Sequence, residues 1–220
     1  MLRKVQTNNY QEIFHSLNKE VSSFPQNVSI IAVSKYVDST EIKKAYQSGF
    51  RDFGENRVPD LIQKAEELKD DCPEIRWHFI GNIQSNKIKE LMSLKSLHAI
   101  HSLDSYKHLK MIGERAISPL KIFVQVNTSD ESQKGGVESI EQILKLTGEI
   151  EHYPYLFFSG LMCMAPLGGD LDSARESFER LKKLSNQFTN CELSMGMSGD
   201  YQIALELGAN YIRVGSKIFK

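Results

Sequence analysis

The feature that most constrains this chain is an alternation: short apolar runs recur eight times along 220 residues, with helically patterned segments between them. The first run, VSIIAV at residues 28–33, is continuous and β-branched, as expected of a strand covered on both faces in a parallel sheet. A helical stretch follows, with Ser39 and Thr40 as N-cap candidates, Glu41 in its first turn and an end near Gly49. Further strands are expected at residues 52–53, 76–80, 99–101, 121–126, 157–162, 192–194 and 211–214. Helical patterning fills 58–68, 83–94, 139–150, 173–188 and 201–207. Strands alternating with helices in this way predict an α/β fold, a single (β/α)8 TIM barrel. Little chain follows the last strand, and an additional N-terminal helix around residues 10–24 is expected to fill the place of the eighth helix.

No composition shift or long Pro/Gly/Ser linker divides the chain, so residues 1–220 read as one domain. With 40% hydrophobic residues it can bury a sizeable core. Its 27 basic and 28 acidic side chains create no broad field to steer it toward nucleic acid or an anionic membrane. Cys72, Cys163 and Cys191 form no C-x-x-C pair, and the six histidines show no metal-binding spacing. The first twenty residues lack the apolar core of a signal peptide, and no run approaches the roughly 20 apolar residues of a membrane helix. A cytoplasmic protein without a metal is expected.

In such barrels the functional groups stand at the C-terminal ends of the strands. That rule selects Ser34 and Lys35, Glu55 and Asn56, Gly81 and Asn82, His101 and Ser102, Asn127, Met164, Ser198 to Asp200, and Gly215 and Ser216. Lys35 directly follows an apolar strand, so its amine is expected at the barrel mouth, where desolvation favours attack on a carbonyl as a Schiff-base lysine. An exposed loop lysine is the alternative. The glycine-bearing loops SMGMSGD (194–200) and RVGS (213–216) follow the last two strands, the usual barrel site for a phosphate. Ser198 and Gly199 suit that task, and a helix N-cap is a second role open to Ser198. Arg213 alternates with Tyr211 and Gly215, so it shares their face. Its partner is either a ligand atom or a barrel carboxylate such as Glu55.

These residues sit within motifs that carry a resemblance. AVSK (32–35), FGENRV (53–58), WHFIGNIQSNK (77–87), IHSLDS (100–105), VNTSDESQKGG (126–136), GLMCMAP (160–166), LSMGMSGDYQIALELGA (193–209) and IRVGSKIF (212–219) follow one another over nearly the whole chain. In this order and spacing the chain resembles the YggS/PROSC family of pyridoxal phosphate (PLP) homeostasis proteins. The resemblance implies a fold-type III, alanine racemase N-terminal domain-like barrel acting in intracellular vitamin B6 balance. It implies PLP covalently held on Lys35, Arg213 facing the pyridine nitrogen, Ser198, Gly199, Gly215 and Ser216 around the phosphate, and Asn56 lining the cofactor. A guanidinium at the ring nitrogen disfavours its protonation and weakens the ring as an electron sink. The expectation is therefore a monomeric carrier that passes PLP to PLP-dependent apo-enzymes, with no catalytic residues of its own. The alternative is a weakly active amino-acid racemase.

Overall fold

A computed structural model describes residues 9–129, 135–166 and 168–219. Eight parallel strands close into a barrel in sequence order: β1 (Ser29–Val33), β2 (Asp52–Glu55), β3 (Arg76–Phe79), β4 (Leu97–Leu103), β5 (Leu120–Gln125), β6 (Leu156–Met162), β7 (Glu192–Met197) and β8 (Tyr211–Val214). The helices between them are α2 (Ser39–Gln47), α3 (Val58–Leu68), α4 (Ile88–Leu91), α5 (Tyr106–Gly113), α6 (Ile140–Ile150), α7 (Leu171–Ser185) and α8 (Tyr201–Glu206). No helix among the described residues is long and apolar enough to cross a membrane.

The expected N-terminal helix is α1 (Tyr10–Val21), and it closes the ring between α8 and α2. Tyr10 donates to Glu41 of α2, while Glu20 accepts from the Tyr201 hydroxyl of α8 at 2.9 Å. Leu17 is fully buried beneath it, and Phe14 meets Phe50 edge to face.

Local chemistry sets most helix starts. Ser139 and Gln142 form a reciprocal capping box on α6, and Asp170 accepts from the Ser173 N–H at the start of α7. In α2 the cap is Asp38, which accepts from the Glu41 N–H, so Ser39 lies one residue inside the helix.

Two sequence expectations require correction. The segment 83–94 is not one helix: a 3-10 turn (Ser85–Lys87) precedes the four-residue α4, and Gln84 before it is extended. The chain here is tethered from behind, because a Cβ on Gly81 would lie 1.9 Å from the Asn56 carbonyl oxygen. Only glycine permits that contact, and it holds the loop after β3 against the loop after β2. The second correction concerns β4, which runs on to Leu103. His101 and Ser102 are therefore strand residues, with His101 inside the barrel and Ser102 donating to the Gly81 carbonyl at 2.6 Å.

The main apolar core lies between sheet and helices, and a smaller cluster of Ile31, Ala99, Phe123, Met162 and Tyr211 fills the barrel. Barrel interiors are usually layers of bulky aliphatic side chains. This one also buries Asp52, His78, His101, Ser194 and Arg213.

Candidate functional site

At the C-terminal mouth of the barrel lies a cavity of about 900 Å³. Lys35, Asn56, Ser198, Gly199, Arg213, Gly215 and Ser216, all selected from the sequence, line it. Gly81, Asn82 and Met164 line it too. Ser34, Glu55, His101, Ser102, Asn127 and Asp200 do not; Asn127 borders a separate cavity of about 610 Å³ beside α7.

Lys35 follows the last residues of β1, where Ser34 is pinned. The Ser34 N–H donates to the Gly54 carbonyl at 3.0 Å, and its carbonyl accepts from Lys64 Nζ at 2.9 Å. Lys64 also donates to Glu55 Oε1 at 2.7 Å, an oxygen that takes a second bond from the Ser34 hydroxyl. Glu55 is thus committed to Lys64 and is not the partner of Arg213. Beyond this clamp Lys35 is half-buried, with its amine 4.9 Å from the centre of the exposed Tyr36 ring. Among the described residues it makes no hydrogen bond or ion pair. An unpaired primary amine at a cavity wall can act as a nucleophile toward a carbonyl.

Arg213 enters the same cavity from β8 and is buried. Its Nη1 donates to Ser194 Oγ and its Nη2 to the Cys163 carbonyl, each at 2.9 Å. Among the described residues no carboxylate lies within ion-pair distance. Burial works against its charge and lowers its pKa. A cation held out of water with neutral partners only is costly, and a ligand acceptor would relieve it.

The third element is a pair of loops. Gly196, next to last in β7, has φ +89°, and a Cβ there would lie 2.6 Å from that of Ala204, so the turn toward α8 requires glycine. In the turn, Ser198 Oγ accepts from the Gly215 N–H at 3.2 Å and ties the two loops together. The N-cap of α8 is Asp200, so Ser198 does not cap it. Among the described residues the N–H groups of Gly199 and Ser216 have no partner. A Cβ on Gly199 would meet open space. Free amides beside a hydroxyl suit the oxygens of a phosphate.

An amine, a carboxylate-free guanidinium and free loop amides around one cavity form a donor set that fits an aromatic aldehyde carrying a phosphate. The family model of the alanine racemase N-terminal domain matches residues 9–220. The pyridoxal phosphate homeostasis protein of Homo sapiens is 39% identical over 208 residues, covering 86% of this chain and 75% of its own length. The chain belongs to this family. The protein of the same name from Helicobacter pylori is 40% identical over 198 residues, covering 88% of this chain and 87% of its own. Among solved structures, PipY of Synechococcus elongatus with PLP bound superposes with a TM-score of 0.85 at 31% identity, over 96% of this chain and all of that one.

Several further residues to which the sequence assigned no individual role line this site, although all but Gln125 lie within the motifs that carry the resemblance. Arg57, Gln84, Lys87, Gln125 and Phe219 complete the wall. Lys87 ends the WHFIGNIQSNK motif. It pairs with Glu90 at 2.8 Å, as a solvated helix lysine would, yet lines the cavity. Met164 and Met197 line the cavity, while Met162 and Met195 are core residues. Part of the VNTSDESQKGG motif, residues 130–134, lies outside the described residues.

Proposed function

We propose that this chain holds PLP at the barrel mouth and acts in cofactor homeostasis, storing PLP and handing it to PLP-dependent apo-enzymes, rather than turning over a substrate. The observation that carries this reading is the convergence on one cavity, around an unpaired lysine amine, of the seven residues that the resemblance assigns to the cofactor. Lys35 would hold the cofactor covalently as a Schiff base, with water lost from its aldehyde. The Gly199 and Ser216 amides and the Ser198 hydroxyl would receive the phosphate, with Gly215 leaving room beside β1. Arg213 would donate to the pyridine nitrogen, and Asn56 would line the ring. PLP when bound supplies an electron sink, and Arg213 restrains it by disfavouring a proton on the ring nitrogen. The chain folds as one barrel that carries the whole set, and it is read as a single-domain monomer. The near-neutral charge supports a protein without a nucleic-acid or membrane partner, and the three free cysteines fit a reducing, cytoplasmic setting.

The test is the visible absorption of purified protein with added PLP, before and after borohydride, with peptide mass mapping. A reduced adduct on Lys35, absent in Lys35→Ala, is the expected result. An adduct elsewhere, or no PLP uptake, overturns the assignment. Exchange of an amino acid's α-hydrogen with D2O faster than with free PLP would make the chain an enzyme instead.

A further inference from the structure

Behind Arg213 a row of buried polar groups runs down the barrel axis to its opposite end. Ser194 Oγ accepts from Arg213 at 2.9 Å and lies 2.8 Å from His101 Nδ1. His101 Nε2 lies 2.9 Å from His78 Nδ1, and His78 Nε2 lies 2.9 Å from Asp52 Oδ1. Arg76, at the start of β3, closes the row with bonds of 2.7 and 2.6 Å to the two Asp52 oxygens. Ser194, His101 and His78 are fully buried, so no water completes their bonding.

The proton positions in this row follow from its two ends. Arg76 and Arg213 can only donate. Burial raises the Asp52 pKa, but hydrogen bonds from Arg76 and His78 outweigh it and keep the carboxyl well below the usual aspartate range. A carboxylate can only accept, so His78 must carry its proton on Nε2. A neutral His78 then presents a bare Nδ1, and His101 must donate to it from its own Nε2. That leaves His101 Nδ1 bare, and the Ser194 hydroxyl donates to it. The other end agrees with this: Ser194 Oγ takes the Arg213 N–H on one lone pair, and His101 Nδ1 is the acceptor within reach of its hydroxyl proton.

Protonating His101 would reverse its bond with Ser194, and protonating His78 would reverse the bond between the rings as well; either strands the Ser194 hydroxyl without an acceptor. The surroundings oppose it as well. Burial lowers both histidines; for His78 it outweighs the upward pull of Asp52, and for His101 the neighbouring His78 and Arg213 add to it. His98 packs edge-on against His78 and is itself pushed down to about 4. Lys121 and Tyr211, bonded to one another at 2.9 Å, complete the surroundings. Asp52 is the anion of this row.

We propose that Ser194, His101 and His78 are positioning residues: they form a one-way hydrogen-bond chain, anchored on Asp52, that holds the Arg213 guanidinium in place at the floor of the cavity. The chain gives Arg213 a lone pair to lean on without placing a carboxylate beside it. Its guanidinium is thereby held in orientation, and its charge remains directed toward whatever acceptor occupies the cavity. The effect on a cofactor rests on reading that cavity as a PLP site; the direction of the chain does not.

Long-range 15N–1H spectra of the ligand-free protein at pH 7 distinguish proton-bearing from bare ring nitrogens. Both His78 and His101 are expected neutral, with the proton on Nε2 and Nδ1 bare. A proton on Nδ1 of either ring, or a cationic ring, overturns the chain. The second arm uses Ser194→Ala. Asp52 still fixes the imidazoles in that variant, so their pattern is expected unchanged, which also reports an intact barrel. Its affinity for added PLP should fall about tenfold, the worth of one hydrogen bond to a charged group. Unchanged PLP affinity in a folded Ser194→Ala protein overturns the positioning role. A parent protein that takes up no PLP overturns the cofactor reading, and the imidazole pattern alone then decides the chain.

Discussion

Replacing Lys64 by methionine should destabilise the protein, and more at pH 8 than at pH 5. The Glu55 side chain is fully buried and Lys64 is only 12% exposed. One oxygen of Glu55 takes bonds from Lys64 and Ser34, while Oε2 has no partner. Burial raises the Glu55 pKa even in the parent protein, against the opposing pull of Lys64 and then Ser34. Methionine keeps much of the lysine stem but removes its charge. Leaving a buried carboxylate alone costs about 3–5 kcal/mol. The Ser34 carbonyl loses its Lys64 donor as well, on the order of 1 kcal/mol.

The protein can escape part of this by protonating Glu55, which fixes the sign of the pH dependence. The folded-state pKa, already above the unfolded value, rises further, so the folded state holds a proton that the unfolded chain releases. Stability is retained below the ordinary glutamate range and lost as pH rises through the folded pKa. Urea unfolding of parent, Lys64→Met and Lys64→Met/Glu55→Gln at the two pH values reads this out. A loss of about 4 kcal/mol at pH 8 is expected, with a smaller loss at pH 5. The double variant should recover part of it, since glutamine carries no charge. A loss below ~1 kcal/mol, the level of an exposed pair, or an equal loss at both pH values would refute the reasoning.

Two further outcomes follow from the site and the barrel floor. Ser198→Ala should weaken PLP binding about fivefold to tenfold and leave pyridoxal, which lacks the phosphate, unaffected; paired titrations check this. The Asp52 carboxyl is held well below its usual range, so its stabilisation is present above that range and lost as pH falls through the folded value. Asp52→Ala should cost about 2 kcal/mol at pH 7 and flatten that acid dependence, as measured by urea unfolding from pH 7 to pH 3.

Much of the fold was legible because buried parallel strands are continuous apolar runs, and SIIAV or LKIFVQ needs no context to be read. The helix α5 was not, since YKHLKMIG spans only two turns and mixes three basic or imidazole side chains with its apolar positions. The end of β4 was misplaced by two residues because Ser102 and Leu103 read as a turn entry, while their burial is decided by neighbours on β3 and β5. The strand-end rule found the residues of the cavity wall that stand directly after strands. It could not find Gln125, the last residue of β5, or Phe219, which arrives from the segment after β8. Nor could it find partnerships such as Lys64 with Glu55 or Ser194 with His101, which depend on side-chain direction across the sheet. His78 looked ordinary because a histidine lacking metal spacing is usually structural, and His101 stood out only as a strand-end candidate. Both are structural here, and their connection to Arg213 exists only in three dimensions.

The seam where α1 sits between α8 and α2 has a consequence for how the barrel is made. Glu20 meets Tyr201 across 181 positions of sequence, and Tyr10 meets the ring of Phe219. Beside them β1 pairs with β8, from Ser29 against Tyr211 to Ala32 against Val214. During synthesis the first helix and strand must wait, with apolar edges uncovered, until the last strand is available. Such distant pairings are slow to form, because loop closure is charged before the contact is made. Closure of this seam is therefore the step at which refolding should stall. Until it happens, the loops after β1 and β8, which carry Lys35 and Gly215, are not yet facing one another, so the binding site is completed only when the circle is.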